Sequence, residues 1–380
     1  MPAKRLSLLV AAVMLAACGE TADTASRAES ATTAAAAPAP AVAERVAGGA
    51  AEGAAEGAAA TPVVGCDRSC LEGFVERYFD ALIDNDPSKV PLADDVIFTE
   101  DGQRLLIGDG LWNTMKSKGP YRLFTTDVPA GQVAVLATIN EDHRDPALET
   151  PALIAVRLKV ENQAITQVEQ LVVRSESGAN NVNNIGTPHE VYLTNVPPES
   201  RMSRAAMIET ANKYFTGMQQ NDGKGDYPFA EDCHRIENGM AATNNPTPEG
   251  ETRPDPKTAL GYSGQWTCLE QFESGLIHFV HRIRDRRFVA VDEERGLVFS
   301  FVFFDHPGGD TRTFQVPDGR TVTAGPVQPW TWQIAELFKV ENNQIRRIEA
   351  ILARSPYGMN SGWSTWEEGM SDEMRDVSME

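Results

Sequence analysis

Residues 233–238 read Cys-His-Arg-Ile-Glu-Asn, a run in which all but one side chain can ionise, ligate a metal or hydrogen-bond. If the run is a strand, its two-residue period puts Arg235 and Glu237 on one face with Cys233 and turns His234 to the other. Arg235 would then bind an anionic group or the neighbouring carboxylate, and Asn238 flanks Glu237 at the end of the run. A second acid, Glu336, lies between Trp332 and Phe338 in an apolar stretch, where a carboxyl either faces solvent or is buried for a chemical purpose. Two carboxyl groups act as base and acid at one site only if burial drives their pKa values apart. The basic run Arg282–Arg287 faces Asp292-Glu293-Glu294 and Asp305-His306 along a predicted hairpin, so cross-strand ion pairs are its first reading and an anion-binding patch its second. No phosphate loop, dinucleotide glycine motif or Gly-x-Ser-x-Gly elbow occurs, so nothing calls for a nucleotide cofactor or serine-hydrolase chemistry. The expectation is a chain without cofactor or metal.

The elements that must position these groups are written twice. LKVENQAITQVEQLVVR (158–174) and FKVENNQIRRIEAILAR (338–354) match at an offset of 180. ERYFDALIDND (76–86) and NKYFTGMQQND (212–222) match at 136, and LADDVIFTEDG (92–102) and FAEDCHRIENG (229–239) at 137. Three blocks in one order are an internal duplication, with about 43 extra residues in the second copy. Each copy opens with helical periodicity, 71–85 and 203–220, followed by a first strand and a short helix at 109–117 or about 265–274. Strands are predicted at 120–127, 132–140, 151–161 and 164–174, and again at 278–291, 297–305, 330–340 and 345–354. Helices first and a mainly antiparallel sheet after them predict an α+β fold with a curled sheet wrapped on helices.

The ends carry an address. Lys4 and Arg5 precede the 12-residue apolar run 6–17, too short to span a bilayer but a normal length for a secretory leader. The sequence Leu15-Ala16-Ala17-Cys18 resembles the lipobox of bacterial lipoproteins, which implies cleavage before Cys18, its lipidation, and a body anchored in the cell envelope by lipid. An ordinary secretory leader is the alternative. Residues 18–64 are an Ala-, Gly- and Pro-rich tether with few side chains to bury. A net charge of −20 excludes a nucleic-acid partner that must displace counterions, and leaves membrane contact to the lipid. Export favours disulfides, and four cysteines remain after Cys18, whose sequence-local pairing is Cys66–Cys70 and Cys233–Cys268. Zinc is the rival for these thiols, without a Cys-x-x-Cys spacing to support it.

ERYFDALIDND…LADDVIFTEDG resembles the opening of ketosteroid isomerase and of the wider nuclear-transport-factor-2-like, or SnoaL-like, superfamily. The resemblance covers about 66–175 and 201–356 and implies two cone-shaped domains, each a strongly curved sheet around N-terminal helices with a pocket inside. It implies domains at 65–178 (degenerate) and 201–356 (active pocket), a linker at 179–200, and a tail at 357–380 read as a possible lid with a mobile acidic end. Open sheets of such cones often dimerise, so the two copies would form an intramolecular pseudo-dimer. The helix-one tyrosine of the family falls on Tyr78 and Tyr214, the general-base carboxylate on Glu100 and Glu237, and the second, neutral acid on Glu336, with Val156 as its first-copy counterpart.

The resemblance therefore implies Glu237 as base and Tyr214 and Glu336 as oxyanion donors, and Arg235, Asn238, His278 and Trp332 are expected to contact substrate. His278 enters as a pocket acid or base of the kind dehydratases of this fold use. Both acids are Glu where the family usually shows Asp. The expected activity is that of an isomerase, lyase or dehydratase on a small apolar carbonyl or hydroxyl compound. The alternatives are a non-catalytic module for a small hydrophobic molecule or a protein, and a structural adaptor whose second cone is filled by its own side chains.

Overall fold

The computed structural model describes residues 66–380; Cys18, the leader and the tether lie outside the described residues. Helix α1 (Arg68–Ile83) starts where the Asp67 side chain accepts the Cys70 amide, and the Cys66–Cys70 disulfide closes its first turn. Its stripe of Leu71, Phe74, Val75, Tyr78, Phe79 and Leu82 is buried. Six strands follow: β1 (Leu92–Glu100), β2 (Gln103–Arg104), β3 (Met115–Asp127), β4 (Gln132–Asp142), β5 (Glu149–Glu161) and β6 (Ala164–Val173). They form one sheet in the order β2-β1-β6-β5-β4-β3, with β1 and β6 parallel and the other neighbours antiparallel.

Helices α2 (Glu176–Ile185) and α3 (Glu190–Leu193) lead to the second copy. It comprises α4 (Arg204–Met218), β7 (Phe229–Glu237), β8 (Met240–Ala241), α5 (Cys268–Glu273), β9 (Arg282–Asp292) and β10 (Leu297–His306). A small hairpin, β11 (Thr313–Gln315) and β12 (Thr321–Thr323), precedes β13 (Trp330–Glu341) and β14 (Gln344–Ser355). Helix α6 (Trp366–Met370) and β15 (Met374–Asp376) end the chain. Read from β8, the second sheet runs β8-β7-β14-β13-β10-β9-β15, so its first six strands repeat the order of the first sheet. Register shifts within both sheets bend them over α1 and α4, and the fold is α+β with curved sheets.

Of four apolar clusters among the described residues, one gathers Trp266, Leu276 and Phe314 beside the β11–β12 hairpin, and the other three hold the sheets and helices together. One lies between α1 and the first sheet, and one between α4 and the second. The third joins the two sheets back to back: Leu123, Leu136 and Leu171 meet Leu297, Phe299 and Leu337. A buried ion pair crosses the same seam, with Arg287 giving two hydrogen bonds to Glu169 at 2.8 and 2.6 Å. Among the described residues no helix is long and apolar enough to cross a membrane.

Four expectations need correction. Residues 109–117 hold only a 3-10 turn, Gly110–Asn113, because Gly110 takes a positive φ of 64° and β3 begins at Met115. The strand expected from 278 begins at Arg282, since Gly275 at φ 69° turns the chain before it. The tail is neither free nor over the second pocket: β15 pairs in parallel with β9, and Trp363 Nε1 donates to Thr99 Oγ1 on the first sheet at 2.7 Å. Of the arginine run, Arg282 and Arg284 do pair across the hairpin with Asp305, but Arg287 reaches the other sheet and Asp292 pairs with Arg68.

Candidate active site

The register of the second sheet sets three residues side by side. Glu237 on β7 is opposite Ala350 on β14, and Ala350 is opposite Glu336 on β13. Residues in register on neighbouring strands project from the same face. Two strand spacings of about 4.8 Å therefore separate the backbones of the two acids, with only a methyl group between them. The cavity above this row measures about 80 Å³ and is lined by Tyr214, Arg235, Glu237 and Glu336 together with Tyr262, Phe279, His306 and Trp332.

Each polar group has a defined environment. Arg235 is buried and gives hydrogen bonds to Gln271 Oε1 at 2.5 Å and Glu237 Oε1 at 2.6 Å, leaving its Nε–H without a partner. Glu336 is 2% exposed, and its Oε2 accepts or donates nothing within the protein. Burial pushes its pKa up to about 8; the Glu237 charge adds to this, while Arg235 and the Tyr214 hydroxyl oppose it. Glu336 is accordingly a neutral acid at pH 7 and can donate a proton or a hydrogen bond. Tyr214 stands on α4 inside an aromatic cage, with Phe272 and Phe338 each 5.3 Å away ring to ring, and burial holds its hydroxyl well above its usual pKa. His306, at the end of β10, is stacked on Trp330 at 4.3 Å; burial lowers its pKa to about 4, and its Nδ1 has no partner.

The first sheet shows the same row closed. There Glu100 is opposite Gln170, and Gln170 is opposite Val156. The Tyr78 hydroxyl donates to Gln170 Oε1 at 2.8 Å, and Gln170 Nε2 donates to Glu100 Oε2 at 2.9 Å. The Leu111 amide also donates to that carboxylate oxygen at 2.8 Å, and Trp112 packs edge-on against Tyr78. A glutamine bridging tyrosine to carboxylate thus fills the first row, where Ala350 leaves the second open.

Tyr214, Glu237, Glu336, Arg235 and Trp332 therefore meet at one cavity. His278 does not: its Nδ1 contacts the Asn221 carbonyl at 3.0 Å and its ring stacks on Phe314, outside the cavity wall. Asn238 also turns away, because its amide donates to the Leu352 carbonyl at 2.9 Å and accepts the Leu352 amide at 3.0 Å, clasping a turn at φ 46°. Cys233 and Cys268 form a disulfide that ties β7 to α5. Two disulfides fit an oxidising, extracytoplasmic compartment.

Sequence reasoning missed Ala350, Tyr262, Phe279 and His306. Ala350 was findable, since it occupies the repeat position of Gln170. Tyr262 belongs to the second copy's extra segment, which has no counterpart to compare, and Phe279 lies just before β9, where the first copy has Thr114. A roomier depression of about 640 Å³ beside Ala230 and Asn342 is a solvated rim, its Arg346 already ion-paired with Asp232 and Glu341.

The model of a family described as "Domain of unknown function (DUF8021)" matches residues 200–352, the second copy. No curated protein matches the chain. Among solved structures the chain is similar to AclR from Streptomyces galilaeus, with 10% identity over 35% of this chain and 92% of that one, at a TM-score of 0.24. It is similar to an LEH-like epoxide hydrolase of M. tuberculosis, with 15% identity over 30% of this chain and 90% of that one, at a TM-score of 0.22. A de novo designed protein with a curved β-sheet matches at 15% identity over 40% and 88%, with a TM-score of 0.21.

Proposed function

We propose that this chain is an envelope-anchored, cofactor-free acid–base enzyme, an isomerase, lyase or dehydratase of a small carbonyl or hydroxyl compound. Two cone-shaped domains, 65–178 and 201–356, pack as an intramolecular pseudo-dimer in which the second is reactive and the first is its closed partner. The observation that carries this reading is the row Glu237–Ala350–Glu336: two carboxyl groups in different environments share one cavity across an alanine. Glu237, placed by its pair with Arg235, takes a proton from the carbon beside a carbonyl. Glu336 in its neutral form and the Tyr214 hydroxyl donate hydrogen bonds to the oxygen on which charge develops.

The alternative is a binding module with the same cavity, favoured by one fact: Glu237 is already engaged by Arg235 at 2.6 Å and would serve as a fixed polar contact. Deuterium wash-in at carbon α of small ketones and hydroxyketones in D2O, followed by NMR, separates the two. The enzyme reading expects exchange catalysed by the native chain and lost in Glu237→Gln, with ligand binding retained. Exchange that persists in Glu237→Gln removes the base assignment, and binding without exchange favours the module.

A further inference from the structure

Arg235 is buried, and two acceptors hold it. Glu237 Oε1 takes a hydrogen bond from its Nη2 at 2.6 Å, and Gln271 Oε1 takes one from its Nη1 at 2.5 Å. Gln271 is fully buried and carries no charge, so it cannot neutralise the guanidinium. What it can do is fix its direction. Both protons of the Gln271 Nε2 are spent, on the Ala242 carbonyl at 2.7 Å and the Ser263 carbonyl at 2.9 Å. A flipped amide would set its oxygen against two carbonyl oxygens and its nitrogen against Arg235 Nη1, so Oε1 has one orientation. The backbone below it is fixed as well. Helix α5 opens with a capping box between Thr267 and Glu270, and its Cys268 is bonded to Cys233 on the strand that carries Arg235.

The first copy has a different arrangement. Phe98 occupies the repeat position of Arg235, and Glu100 takes hydrogen bonds directly from Gln170 and the Leu111 amide. In the second copy Ala350 replaces that glutamine and the acid is held at one remove: Gln271 holds Arg235, and Arg235 holds Glu237. The Ser263 carbonyl that orients Gln271 lies in the second copy's extra stretch, next to the cavity-lining Tyr262.

We infer that Gln271 is a positioning residue of the candidate site, aiming the Glu237 carboxylate through Arg235 without itself lining the cavity. The inference rests on the proposed role of Glu237 as base and adds what holds that base in place. Without the Gln271 oxygen, Arg235 Nη1 becomes a buried donor that has lost its acceptor, and the guanidinium turns to find another, taking Glu237 with it.

Deuterium wash-in to butanone and to hydroxyacetone by the full chain tests this, with Gln271→Met matching the length of the side chain without its amide. Turnover should fall about 10–100-fold, as expected when a reacting group is misplaced by ~1 Å, while KM stays within about twofold because no cavity contact is removed. Adding Gln271→Met to Arg235→Met should cost nothing further, since the route through the arginine is already cut. A second readout needs no turnover. In a chain carrying isotope-labelled arginine, the Arg235 signals are identified by their loss in Arg235→Met. They should show resolved Nη positions in the native protein and one averaged position in Gln271→Met. If Gln271→Met does not fold, Gln271→Glu keeps an oxygen on Arg235 but makes it a carboxylate that competes with Glu237, and should show the same fall in turnover at unchanged KM. Native turnover in the Gln271 variant, a change in KM alone, losses that multiply in the double variant, or arginine signals that stay resolved overturn the inference, and the base reading stands if Glu237→Gln is inactive. If the native chain exchanges neither probe, the base reading fails and the inference falls with it.

Discussion

Glu336 makes the stability of this protein depend on pH in a direction opposite to most carboxylates. In the folded chain its pKa is raised from 4.5 to about 8 by burial. Between those values the native state keeps a proton that the unfolded chain has released, so stability falls as pH rises through that window. At 1.36 kcal/mol per pH unit, the full loss is about 5 kcal/mol by pH 8, an order-of-magnitude figure. Above the folded pKa both states are ionised and the loss grows no further. Glu336→Gln keeps the shape and removes the proton. Urea unfolding of both chains with disulfides intact, at steps across that window, should show near-equal stability at the acid end. The variant should gain several kcal/mol at the alkaline end. Glu349, raised to about 7 by burial, gives both chains a similar background slope that cancels in the comparison. Parallel profiles for the two chains would refute the claim that Glu336 is buried as a neutral acid.

Other outcomes follow from the same geometry. Glu169→Gln leaves Arg287 with only Asp285 at 3.2 Å and should cost about 3–5 kcal/mol in denaturant unfolding, as expected when one partner of a buried pair is removed. Opening the Cys233–Cys268 bridge, 35 residues apart, by a double Ser substitution should lower stability by about 3–4 kcal/mol on the loop-entropy scale. Ala350→Gln should leave the fold intact at a cost of about 1–3 kcal/mol, readable as a modest shift of the thermal midpoint. Gly110→Ala, which meets the Glu100 carboxylate at a positive φ of 64°, should destabilise the first sheet by more than ~1 kcal/mol.

Local physics made much of the architecture legible. The i, i+3, i+4 stripe of α1 and the alternating strands are properties of neighbouring residues, and the duplication let each copy check the other. The two acids and the tyrosine reach one cavity because register is inherited with the strands. What stayed hidden depends on distance in the chain. Arg287 sits in a run that reads as hairpin charge, yet its partner Glu169 is 118 residues away. Strand β15 is three residues without periodicity, made a strand only by the edge of β9 it meets. His306 closes an apolar strand, and only the fold shows that its ring lies on Trp330 and its nitrogen goes unpaired. His278 failed as a pocket residue because Gly275 ends the preceding turn early and carries it to the Phe314 side.

Strand β10 gives alternate residues to two different cores: Val298, Val302 and Phe304 to the cavity side, Leu297, Phe299 and Phe301 to the seam between the sheets. The same single layer of backbone is a wall of the pocket and a face of the internal interface. A lineage of such chains could not drift freely at one surface while keeping the other, since a one-residue slip of β10 would exchange the two sets. Substitutions at Phe299 and Phe301 that alter how the halves fit should therefore travel, in evolution, with substitutions around the cavity they never touch.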